Sequence, residues 1–190
     1  MVSAFKIKLA EIANDEFQTY GGHSEAGGVL GPRIETYWTD LQWNFPGVKT
    51  PWSAAFVCWC LRKAGATKDE FLFHPRHAVF VHWAIANEKA GTGLFRAVRY
   101  DAAPPEVGDL VHWNQPGGTF DFPHATTEDS YPSHSAIVVA LGQDDDGRFA
   151  MTIGGNENDS VGRTRVRLNI AGSIVQRANS PFISLVRTLK

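Results

Sequence analysis

The first half of the chain patterns as helix and the second half as strand. Over residues 1–17, MVSAFKIKLAEIANDEF, charges at Lys6, Lys8, Glu11, Asp15 and Glu16 are spread among apolar positions, which predicts an amphipathic first helix. Glycine-rich GGHSEAGGVLGPR predicts a loop, and IETYWTDLQW a short aromatic helix or turn. Residues 50–65, TPWSAAFVCWCLRKAG, predict one helix: Thr50 as N-cap, Pro51 in the tolerant first turn, Arg62 and Lys63 in the last turn and Gly65 closing it. Apolar residues from Trp52 to Leu61 leave no polar stripe on it. A helix apolar all round, yet too short to cross a bilayer, belongs at the centre of a globular domain. Ser53 is the only hydroxyl inside it. In FLFHPRHAVFVHWAIANEKAG, residues Val79, Phe80, Trp83, Ile85 and Ala86 fit a further helix ending near Gly91.

From Leu94 the pattern shortens to β-like runs separated by turns: LFRAVRY, the PPEVGD turn, DLVHW, then HSAIVVALG, the DDDG turn, RFAMTIG, VGRTRVRLN and FISLVRTL. Arg163, Arg165 and Arg167 alternate with Thr164, Val166 and Leu168, as on a strand with one wet face. Helices first and antiparallel strands second predict an α+β fold, with N-terminal helices packed on a C-terminal antiparallel sheet in one domain over 1–190. Between DLVHW and HSAIVV runs NQPGGTFDFPHATTEDSYPS, polar and rich in turn residues. A connection of that length is often a functional rim, and because it ends at His134 it is expected to border any site there.

Composition changes this picture little. The chain is 43% hydrophobic and 20% charged, an ordinary globular balance. A net charge of −2 without a basic run argues against nucleic acid or an anionic membrane surface as partner. The charged N-terminus lacks the apolar core of a secretory signal, and no stretch is apolar enough to span a membrane, so the expectation is a soluble product made in the cytoplasm. The two cysteines, Cys58 and Cys60, point about 200° apart on a helix and are not expected to pair. Their expected role is as small buried hydrophobes.

Three polar features sit at the edges of apolar elements: Ser53 in the first turn of the buried helix, His134 at the start of SAIVVA, and Asn156 after MTIGG. A nucleophile at a helix N-terminus benefits from free N–H groups and the positive end of the dipole, which also suit an oxyanion. Serine needs a general base, which a histidine opening a neighbouring strand supplies, and an amide oxygen can hold that imidazole in the right tautomer. Each residue also has an ordinary structural reading, as a first-turn serine, a strand-entry histidine and a turn asparagine. His74, His77 and His82 lack the spacing of three or four residues that puts two ligands on one helical face, and are expected to be partly buried, hydrogen-bonded histidines.

PWSAAFVCWCLRKAG, GDLVHW, HSAIVV and GGNENDSV, in that order, resemble the landmarks of the CHAP group, the cysteine- and histidine-dependent amidohydrolases and peptidases of the papain-like NlpC superfamily. The resemblance runs from about Thr50 to Val161. That group begins its helix Trp-Cys-Ala-Ala-Phe, and here Ser53 takes the cysteine's place. A closer resemblance is to a bacterial family of uncharacterised domains carrying Trp-Ser-Ala-Ala-Phe, with an upstream Tyr-Trp pair (Tyr37, Trp38) and a His-x-x-aromatic motif (His77, Phe80). The resemblance implies a papain-like fold, Ser53 as nucleophile, His134 as general base, Asn156 orienting the histidine, and a mainly structural Asp109. Trp52, Asp109, Trp113 and Tyr131 form the set expected beside substrate, with no metal or other cofactor.

The implied activity is peptidoglycan hydrolysis at an amide bond, as amidase or endopeptidase. A wall-directed enzyme without a secretion signal would leave the cell by a non-classical route, as a phage lysin or as a toxin delivered to a competitor. The delivered toxin would imply an immunity protein as partner. Two other readings stand beside it: an inert module of the same fold that binds wall fragments or a protein, with Trp113, Phe120, Phe122 and Tyr131 as stacking surfaces, and a metalloenzyme built on His112, His124 and His134. Cys58 or Cys60 as replacement nucleophile is disfavoured, since Cys60 lies roughly 10 Å along the helix from Ser53 and Cys58 about 140° around it.

Overall fold

A computed structural model describes residues 2–190. Four helices lead: α1 (Ala4–Tyr20), α2 (Leu30–Thr39), α3 (Ser53–Ala64) and α4 (His77–Ala90). Strands β1 (Phe95–Arg99) and β2 (Leu110–Asn114) follow, then a short α5 (Phe122–Thr127), and finally β3 (Ser133–Asp144), β4 (Gly147–Glu157), β5 (Ser160–Arg167) and β6 (Phe182–Thr188). The strands form one antiparallel sheet in the order β1-β6-β2-β3-β4-β5. The expected α+β arrangement is what the chain adopts. Among the described residues no helix is long and apolar enough to cross a membrane.

The helix boundaries depart from expectation in two places. The central helix starts at Ser53 rather than at Thr50, with Trp52 before it and no side-chain cap, so its first amides are left open. Helix α2 begins at Leu30, inside the stretch expected to be loop, because Pro32 falls in its first turn, where no N–H is needed. Gly65 and Gly91 close α3 and α4 in the left-handed conformation, as their positions suggested.

Helix α3 is the centre of the structure, with Phe56, Val57, Cys58, Cys60 and Leu61 wholly buried against α1, α2 and the sheet. The helices cover one face of the sheet. The other face carries a second cluster that includes Val111, Ala136, Val138, Ala150, Val166 and Leu185, capped by Ile174 from the β5–β6 connection. With both faces covered, β2 is buried at every position, and its two polar residues, His112 and Asn114, are hydrogen-bonded inside, to Ser135 and to the Phe120 carbonyl among others. At the β5 edge, Arg163 and Arg165 rest over the rings of Phe17 and Phe149.

Asp109 explains the Gly-Asp strand start. Its carboxylate accepts from the backbone N–H groups of Glu106 and Thr188, both at 2.9 Å, and lies 3.5 Å from Lys6 Nζ. It thereby ties α1, β2 and β6 together from a position only 2% exposed. This is a structural role of the kind the resemblance implied, and it takes Asp109 out of the set expected beside substrate.

Candidate active site

The site begins at the N-terminus of α3. The first helical hydrogen bond runs from Phe56 N–H to the Trp52 carbonyl, so the amides of Ser53, Ala54 and Ala55 have no partner within the helix. Trp52 anchors this turn from inside: it is 0% exposed, its indole N–H donates to Glu25 at 2.9 Å, and its ring stacks on Tyr37 with centroids 5.9 Å apart. Trp52 was expected beside substrate; full burial gives it the task of fixing where Ser53 stands.

The chain reaches α4 through Pro75 and an extended Arg76, and His77 is its first residue. His77 Nε2 is hydrogen-bonded to Ser53 Oγ at 2.7 Å. Thus the imidazole touching Ser53 comes from α4, not from β3 as expected. Its other nitrogen, Nδ1, is buried without a partner among the described residues. Burial, followed by the nearby His134 and His112, holds the His77 imidazole well below its ordinary pKa. His82 and His74 have the roles expected of structural histidines, bonded to the Ala125 carbonyl and the Arg76 amide.

His134 lies beside His77 with ring centroids 5.2 Å apart, and it also packs on Trp113 at 4.7 Å. Its Nε2 bonds Glu157 Oε1 at 3.2 Å, while Glu157 Oε2 accepts from the Thr164 hydroxyl at 3.0 Å. The residue orienting His134 is therefore Glu157 and not Asn156. The cause is local backbone geometry. Strict alternation from Gly154, which faces His134, would put Asn156 on that side, but Asn156 adopts a left-handed conformation (φ 57°) and the β4–β5 register shifts there. The irregularity sends Glu157 back over the Gly154–Gly162 pair, and Asn156 turns to the cleft. A Cβ on Gly154 would lie 2.4 Å from Glu157 Oε1 and 2.9 Å from His134 Nε2. These glycines exist to leave room for the pair.

The cleft has a volume of about 600 Å³ and is lined by Ser53, Ala54, Arg76, His77, Tyr131 and Asn156 among others. The end of the long β2–β3 connection, Ser130 to Ser133, forms one wall, in the place expected for it. Of the residues expected beside substrate, Tyr131 reaches this cleft, whereas Trp113 is turned to His134 and Phe182. Among the described residues, Arg76 is the only charged side chain in the lining. Its guanidinium meets the Ser130 hydroxyl at 3.4 Å, and among the described residues no carboxylate lines the cleft.

The cysteines stand apart from this chemistry. Both are buried and unpaired, and burial pushes the Cys58 thiol up to about 12 and Cys60 well above its ordinary value. His112 is committed as well, with Nδ1 on Ser135 Oγ at 2.8 Å and Nε2 on Tyr131 Oη at 3.3 Å. His124 stacks on Phe120, and no group of three or more His, Cys, Asp or Glu suited to a metal occurs among the described residues.

Sequence spacing could not have paired Ser53 with His77, because the contact joins the starts of two successive helices. Glu157 left a fainter trace, a glutamate next to an asparagine with glycines on both sides in β4 and β5.

Residues 14–185 match a family model described as an uncharacterized protein conserved in bacteria, DUF2272. No curated protein and no solved structure matches the chain.

Proposed function

Because the chain belongs to the DUF2272 family of uncharacterized bacterial proteins, its chemistry has to be read from the site, and we propose that it hydrolyses an amide bond of the cell-wall peptide through Ser53. The observation that carries the proposal is a serine hydroxyl on open helix amides, 2.7 Å from an imidazole, at the floor of a cleft. The resemblance to the CHAP and NlpC hydrolases, with serine in the cysteine's place, supplies the substrate class. The lining supports it: a lone guanidinium without acids favours a peptide that carries free carboxylates, as wall peptides do.

In this reading Ser53 Oγ attacks the carbonyl carbon while its proton passes to His134 Nδ1, the nitrogen left free when Nε2 bonds Glu157. The Ser53 amide and its neighbours at the start of α3 receive the oxyanion. Collapse breaks the C–N bond, and the proton on His134 moves to the departing amine, leaving an acyl ester on Ser53. Water, deprotonated by His134, then releases the acid and restores the serine. Glu157 stabilises the imidazolium formed in each half. An immunity protein, were the enzyme a delivered toxin, would have this cleft to obstruct.

The test is digestion of purified peptidoglycan with products read by mass spectrometry. Ser53→Ala and His134→Ala are expected to lower cleavage by at least about a thousandfold. A Cys58/Cys60 double alanine variant that folds retains cleavage. Full activity in Ser53→Ala overturns the mechanism. No release from several wall chemotypes by the wild type, together with retention on insoluble wall, would instead favour a binding module.

A further inference from the structure

One imidazole, His77, touches Ser53, and a second, His134, lies beside the first with ring centroids 5.2 Å apart, while the hydroxyl has one proton to give. We infer that His77 is a hydrogen-bond donor to Ser53 Oγ, a positioning residue locked in the Nε2–H tautomer, which holds the nucleophile and directs its proton away toward the His134–Glu157 pair. The inference rests on the reading of Ser53 as nucleophile and assigns His77 a role that acyl-transfer chemistry does not by itself require.

The orphaned nitrogen decides the tautomer. In a neutral imidazole one nitrogen carries hydrogen and the other a lone pair. If His77 accepted the serine proton at Nε2, its hydrogen would sit on Nδ1, which is buried with no partner among the described residues. An orphaned buried N–H is among the rarest and costliest arrangements in proteins, whereas an unused lone pair is better tolerated. The hydrogen therefore belongs on Nε2, which donates across the 2.7 Å contact.

The surroundings give the same answer about charge. A general base becomes an imidazolium at each turnover. His134 has what that cation needs: the Glu157 carboxylate at 3.2 Å, with the Trp113 ring tilted beside it at a centroid distance of 4.7 Å. His77 is faced by Ser53 from α3, by His134 from β3, by His112 further off and by Phe80 on its own helix, with no carboxylate in contact. It also begins α4, where the helix dipole disfavours a cation. Two charged imidazoles 5.2 Å apart would repel, so the proton goes to the one that is compensated. The serine hydroxyl thus accepts from His77 and donates elsewhere, a division that fixes both its position and the direction of proton transfer.

Two measurements on the full chain test this without wall substrate. Long-range 15N–1H correlation of the imidazole rings is expected to show His77 as the neutral Nε2–H tautomer from pH 5 to 8; the Nδ1–H tautomer or a titrating ring overturns the inference. The second uses Ser53→Cys as a reporter, alkylated by iodoacetamide across pH, with labelling at position 53 verified by mass spectrometry. A donor at Nε2 stabilises the thiolate, so adding His77→Ala raises the inflection by about one pH unit, a tenfold loss of thiolate at neutral pH. His77→Gln retains an N–H near that point and keeps the inflection within about half a unit. If Gln is as damaging as Ala, His77 is not acting through donation. Wild-type protein that cleaves no wall would defeat the proposed function while leaving both readouts interpretable.

Discussion

Acid should unfold this protein earlier than its carboxylates alone would require, and the cause is a pair of buried neutral histidines. His112 is fully buried on β2 with its nitrogens on Ser135 and Tyr131, and burial, helped by His134, pushes its pKa down to about 3 from an ordinary 6.5. Between those values the unfolded chain binds a proton that the native chain does not, so stability falls as pH falls through this window. The loss is about 1.4 kcal/mol per pH unit for one such group, hence about 2 kcal/mol by pH 5. His77, lowered for the same reason, adds to it with the same sign. Carboxylates held low by ion pairs, such as Glu106 and Asp144, contribute only as pH approaches 4, and Asp109, raised by burial, acts in the opposite direction. Urea titrations followed by tryptophan fluorescence at pH 7.5 and 5.0 measure the effect. With an m-value of about 2 kcal/mol per molar, the His112 share alone lowers the midpoint by about 1 M. His112→Asn, destabilised at both pH values, is expected to show a difference between them smaller by about 2 kcal/mol. A wild-type midpoint that does not move, or an unchanged difference in the variant, refutes the reasoning.

Other outcomes follow from the same geometry. Gly154→Ala drives a Cβ into the His134–Glu157 contact and is expected to abolish wall cleavage while the far-ultraviolet circular dichroism stays native. Gly155→Ala meets Phe56 Cβ at 2.5 Å and the Trp52 ring at 2.6 Å, and is expected to lower stability by about 1–3 kcal/mol in thermal or urea melts. Glu157→Gln should reduce kcat by about a hundredfold or more, whereas Asn156→Ala, which faces the cleft, should act mainly on KM; steady-state kinetics on a soluble muropeptide separate the two. Arg76→Ala is expected to raise KM about tenfold for peptides with a free carboxylate and to leave amidated ones unaffected.

How much of this was legible beforehand depends on the range of the interaction concerned. The helix-then-strand order, the buried α3, its glycine stop and the position of Ser53 follow from local pattern, because periodicity and capping are set within a few residues. The β2–β3 connection could be placed at the cleft because it ends where the candidate histidine begins. By contrast, whether Asn156 or its neighbour Glu157 meets His134 turns on one left-handed residue, and a shift of one position in a strand changes which side chain reaches a given face. Burial was also hidden: Trp52 and Asp109 sit next to site motifs in sequence but serve the interior, where no motif distinguishes support from contact.

What the sequence determined by itself is the architecture and the presence of one serine in the first turn of an apolar helix; that the helix begins at Ser53 itself, uncapped and with open amides, was seen only in the structure. Which imidazole that serine touches was decided only in the tertiary structure. The first residues of α3 and α4, 24 positions apart, meet at 2.7 Å, and a bend in β4 gives the other histidine its carboxylate. Hydrogen-bond partnership depends on tenths of an ångström set by the packing of whole elements, and no local pattern in the chain encodes that distance.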